Sequence, residues 1–113
     1  MSWDFYVTSK PCPTCGHREA YESDVGFDNN YTSNMFPMLK KAGFDWDEIQ
    51  NRPTTEALPK LERLIDAMKA DPQGYKALNP PNGWGDYDGF LRYLERMALW
   101  CRNRPDGYIE VSR

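Results

Sequence analysis

The residues with the most chemistry to offer lie close together near the start of the chain: Cys12, Cys15 and His17, in the run KPCPTCGH. Two thiolates spaced C-x-x-C and turned by Pro13 and Gly16 have the geometry of one half of a tetrahedral zinc site. His17, the only histidine, is the expected third ligand, with a carboxylate or the distant Cys101 left to complete the set. Cys101, however, falls on the apolar face of a predicted helix. The run is therefore expected to form a zinc-knuckle-like insertion over residues 10–18 with a structural metal, or else a loop with two free thiols. Redox catalysis is disfavoured, because this C-x-x-C does not open an amphipathic helix that would depress a thiol pKa.

A second constellation is polar and aromatic. Asn30, Tyr31, Thr32 and Asn34 stand in one predicted loop, and Asn79, Asn82, Trp84, Asp86 and Tyr87 in another. Each loop feeds a helix N-terminus, where free N–H groups favour electron-rich atoms, and the aromatic rings offer flat faces for stacking. The two loops are expected to share one site for a small, planar, polar ligand. The same residues also suit plain scaffolding, since Asn and Asp cap helices and build turns, and Trp84 and Tyr87 could close a core.

Catalytic signatures are weaker. A nucleophile–base arrangement would have to use the lone His17, and the chain has no G-x-S-x-G elbow, Walker loop, G-x-G-x-x-G turn or H-E-x-x-H pair. Asp86 and Asp88 are two apart at a helix start and point in different directions, which fits capping better than acid–base work. Glu19, Glu22 and Asp24 read as a solvated face.

Composition narrows the classes further. A chain of 113 residues, 40% hydrophobic and 14% aromatic, is one domain with a single core rather than a disordered segment. Fourteen basic against seventeen acidic residues, with no cluster of Lys and Arg, argue against broad nucleic-acid binding. No apolar run spans a bilayer and no secretory leader is recognisable, so a cytoplasmic location is expected. Three cysteines make a poor disulfide framework and fit a reducing compartment.

The elements that must position these residues follow from periodicity. Trp3 to Thr8 alternates as a half-buried strand, and Glu19 to Phe27 resumes a loose alternation through Tyr21, Val25 and Phe27 after the insertion. DNNYTSN leads into a short helix through Met35, Met38 and Leu39, with Pro37 in its first turn and Gly43 closing it. Asp45 and Glu48 form a capping box flanked by Phe44 and Ile49. Thr54 and Thr55 open an amphipathic helix through Leu58, Leu61, Leu64, Ile65 and Met68, which Asp71-Pro72 ends. The broadest apolar face lies between Asp86 and about Arg102. Tyr87, Leu91, Leu94, Ala98 and Cys101 make one stripe and Phe90, Tyr93, Met97 and Trp100 another, which predicts a central helix covered on more than one side. Tyr108 to Ser112 alternates again. The predicted fold is α+β, a small antiparallel sheet with adjacent N- and C-terminal strands packed on a helical layer.

The strings NNYTSNMFPMLKKAGF (29–44) and ALNPPNGWGDYDGFLRYLERM (77–97), with the ending PDGYIEVSR (105–113), resemble a group of small proteins encoded by tailed bacteriophages, particularly those of actinobacteria. The likeness extends from about Asp28 onward, and NPPNGWGDYDG is its most specific part. No activity is established for that group, so the resemblance implies a source and a host-cell setting rather than a mechanism. Two functions from different classes are expected on these grounds. One is a non-enzymatic accessory protein that captures a small polar or nucleotide-derived ligand, in the phage setting a signal of host defence. The other is a protein–protein effector that inhibits a host factor through an exposed aromatic patch such as Trp3, Tyr6 or Trp46. A purely structural, zinc-stabilised module is the third alternative.

Overall fold

Alternation in the first segment sends Trp3, Phe5 and Val7 to one face, and burial of all three makes that segment the middle of the sheet. In the computed structural model, which describes residues 2–23 and 29–113, it forms strand β1 (Ser2–Thr8). β1 pairs antiparallel on one side with β3 (Tyr108–Ser112), Phe5 opposite Val111 and Val7 opposite Ile109. On its other side it pairs with β2 (Asn30–Thr32), Trp3 opposite Tyr31, which gives the order β2-β1-β3. The expected adjacency of the N- and C-terminal strands is therefore met.

The strand expected over Glu19 to Phe27 is a correction in part. Residues 19–21 run beside the end of β1, joined by one bridge between Thr8 and Ala20, and Asp24 to Asp28 lie outside the described residues. The second partner of β1 comes instead from Asn30 to Thr32, which were expected to be loop. Polar residues suffice there because an edge position requires only backbone pairing along one side.

Helices cover the apolar face. α1 (Phe36–Ala42) carries Pro37 in its first turn and ends on Gly43 at φ 70°, a left-handed C-cap that glycine adopts without steric cost. A 3-10 turn at Trp46–Glu48 has the capping box of Asp45 and Glu48. α2 (Thr54–Ala70) opens at the expected threonines, and Thr54 is buried, its hydroxyl donating to the carbonyl of Arg104 at 2.6 Å. α3 (Pro72–Lys76) follows at once, capped by Asp71.

α4 (Tyr87–Asn103) is the central helix. Asp86 accepts from the Gly89 N–H at 2.7 Å, and Phe90, Leu94 and Met97 are fully buried while Arg92, Glu95, Arg96 and Arg102 face solvent. Phe5 meets Trp100 edge-on at 6.1 Å and Trp3 meets Phe90 at 6.0 Å, so the helix lies on the sheet while α2 packs against its other side. No helix among the described residues is long and apolar enough to cross a membrane.

Candidate functional site

The site begins with β2, whose pairing with Ser2–Asp4 fixes the backbone of Asn30 to Thr32. Asn30 donates its side-chain amide to Ser2 Oγ at 2.9 Å and to Asp4 Oδ1 at 3.0 Å. Tyr31 turns its ring inward to stack on Tyr93 at 5.2 Å and 27°. Thr32 caps the following 3-10 turn (Ser33–Met35), accepting from the Asn34 N–H at 3.3 Å.

Tyr31 then reaches across to the second loop. Its hydroxyl donates to the Asp86 carbonyl at 3.4 Å and accepts from the Asp86 N–H at 3.3 Å. Burial holds this phenol above its ordinary pKa, so it stays protonated at neutral pH. Asn34 donates to the Trp84 carbonyl at 3.5 Å. Glycine permits the close approach: Gly85 sits at φ 87°, and a Cβ there would lie 2.6 Å from Thr32 Cγ2. The turn preceding it is self-braced, with Asn82 Oδ1 accepting from the Trp84 N–H at 3.0 Å.

Between the two loops lies a surface cleft of about 630 Å³, lined by Ser2, Asn30, Tyr31, Thr32, Asn34, Asn82 and Trp84. Six of the residues expected to form a shared site thus do line one cavity. Three do not. Tyr87 is buried, donating its hydroxyl to the Met68 carbonyl at 2.8 Å, and Asn79 is spent on the Tyr87 N–H at 2.8 Å. Asp86 is the cap of α4, outside the lining. Ser2 went unforeseen, since only the β1–β2 register, which sets it opposite Thr32, brings it to the cleft.

The thiol pair is separate from this cleft. Cys12 and Cys15 flank a turn closed by the Gly16 N–H on the Cys12 carbonyl and the Cys12 N–H on the His17 carbonyl, both at 2.8 Å. A hydrogen bond from the Cys15 backbone N–H, foremost, holds the Cys12 thiol below its ordinary pKa. Cys101 is buried on α4 and pushed up to about 12 by desolvation, which removes it from the ligand set. Among the described residues no three His, Cys, Asp or Glu side chains gather into a metal site, so Cys12 and Cys15 offer two donors and His17 does not join them. As arranged, the residues do not fit a complete zinc site.

Sequence reasoning also missed Arg18. Its guanidinium donates to Thr8 Oγ1, Asn51 Oδ1 and the Ile109 carbonyl, and it pairs with Glu110 at 3.3 Å, which ties the insertion to the sheet. The aromatic patch expected of Trp3 and Trp46 is core instead, the two rings meeting edge-on at 5.3 Å, and Tyr6 is half-buried. Among the described residues the exposed large hydrophobic ones are Phe36, at 58%, and Trp84, at 71%.

Fold and site together define a small α+β protein with a cleft, its described lining free of charged side chains, between an edge strand and a glycine-rich loop. Compared with known protein families, curated proteins and solved structures, the chain finds no match.

Proposed function

We propose that this protein is a non-enzymatic binding protein that holds a small polar or nucleotide-derived ligand in the cleft between Asn30–Asn34 and Asn82–Trp84. The observation that carries the reading is Trp84, 71% exposed on a braced turn beside a cavity lined with amides and hydroxyls. Rigid presentation reduces the ordering cost of binding. Among the described lining residues Tyr31 is the only ionisable one, and its raised pKa leaves no acid or base poised near neutrality. In the phage setting implied by the sequence resemblance, such a protein would act in the host cytoplasm by sequestering a signal of host defence. A thermal-shift screen of small polar compounds and nucleotides is the test, since a ligand that binds only the folded state raises its melting temperature. No shift with any member of the panel would sink the reading.

The second reading, an effector that occupies a host protein, is favoured by Phe36 and Trp84, which are exposed and follow or belong to the cleft-forming turns. Structural zinc belongs to the proposal as well. The Cys12–Cys15 turn supplies half a tetrahedral set, and a metal there needs His17 to swing inward together with a further donor.

A further inference from the structure

We propose that the cleft selects an uncharged planar heteroaromatic group, a nucleobase carried by a nucleoside, and discriminates against the phosphorylated form. This inference rests on the binding function proposed above and narrows its ligand class.

Three features of the cavity support it. The first is the stacking surface: Trp84 stands between Gly83 at φ 75° and Gly85 at φ 87°, and these two left-handed glycines aim the indole outward. Every base has a π-face, so such a platform accepts bases generally. The second is the polar complement. Asn82 spends its carbonyl on the Trp84 N–H and Asn34 its amide on the Trp84 carbonyl, both through the backbone of the stacking residue itself. Each exposed amide keeps its other half for a ligand, a donor on Asn82 and an acceptor on Asn34, the pairing that a base edge presents in return.

The third feature is charge. No Lys, Arg or His is among the described lining residues. Two carboxylates stand beside the described lining: Asp4, hydrogen-bonded to Asn30 at 3.0 Å, and Asp86, whose backbone is clasped by the Tyr31 hydroxyl. At Tyr31 the charge of Asp86 acts more strongly than that of Arg92 on the outer face of α4. A phosphate entering here would meet these carboxylates with no cation among the described lining residues to pair with, whereas a nucleoside brings no charge.

The molecule carries its own probe. Of four tryptophans, Trp3, Trp46 and Trp100 are buried, so quenching of the solvent-exposed emission reports Trp84. The test titrates the full chain with the four ribonucleosides and, separately, their 5′-monophosphates, following fluorescence and confirming affinity by calorimetry. At least one nucleoside is expected to bind on the order of tenfold more tightly than its monophosphate. Trp84→Ala is expected to weaken that binding by roughly tenfold to a hundredfold without moving the melting temperature. Monophosphates that bind as well as nucleosides would overturn the charge argument, and undiminished binding by Trp84→Ala would overturn the stacking argument, while leaving a ligand-binding function in place. If the nucleosides fail but another compound of the thermal-shift panel binds, the ligand class is wrong. If nothing binds in either assay, the cleft is not a ligand site.

Discussion

Single residues divide the thiols of this chain into two kinds. Cys15 is exposed and Cys12 half-buried, in a turn whose backbone N–H groups favour the thiolate, whereas Cys101 lies in the core with its pKa pushed up to about 12. Native protein titrated with a disulfide reagent is expected to give two fast thiols, with the third released only by denaturant. Because Cys12 sits below the ordinary thiol value, its reaction should persist at pH values where a free cysteine has already slowed. Zinc binding at the turn would protect both fast thiols, and metal analysis of untagged protein measures it directly. Cys101 sets an alkaline limit: it folds as the neutral thiol, so stability is intact below the unfolded value of about 9 and falls as pH rises towards about 12. Cys101→Ala should flatten that part of a pH–stability profile. Tyr31→Phe isolates another contact, because it removes only the hydroxyl that both donates to and accepts from the Asp86 backbone. Urea denaturation should register a loss of about 1 kcal/mol.

At the scale of elements, two features can be tested separately. α4 owes its place to a broad apolar face of eight buried residues, and Leu94 is fully buried at its centre. Leu94→Asp forces an unpaired carboxylate into the core and is expected to abolish cooperative unfolding; a variant melting like the parent would refute the central placement. The loop before α4 depends on glycine rather than on apolar area. Gly85→Ala combines a left-handed backbone with a Cβ 2.6 Å from Thr32 Cγ2. It should cost about 1–3 kcal/mol and open the cleft, so that loss of ligand binding accompanies loss of stability. Trp84→Ala, by contrast, changes only the exposed face.

For the whole molecule, the sheet couples the chain ends. Without β3, the strand β1 would keep only the three-residue β2 as a regular partner, and Ile109 and Val111 would leave the core. Removal of residues 108–113 is expected to yield a chain without a cooperative thermal transition, measured by circular dichroism. Much of this architecture was legible beforehand, since alternation and helical periodicity report burial along a single element: β1, β3, α2 and α4 follow the apolar pattern of Trp3, Ile109, Leu61 and Leu94. The capping box at Asp45 and the cap at Asp86 were legible too, because caps are local hydrogen bonds between near neighbours. The half-zinc spacing of Cys12 and Cys15 was equally plain, but spacing cannot say whether further ligands arrive from elsewhere. Asn30 to Thr32 looked like loop because edge pairing is made by the backbone and leaves no apolar signature. The cleft itself needed the fold, since it exists only where the β1–β2 register sets Ser2 beside Thr32 and Gly85 lets a loop more than fifty residues away close upon it. Sequence alone thus determined the helices and the two terminal strands and which of their residues are apolar enough to be buried, but not the edge strand. Only the tertiary structure decided which polar residues meet: Tyr87 went to the interior with Asn79 spent on its N–H, and Asn34 and Asn82 went to one cavity, because long-range contacts are set by packing rather than by local pattern.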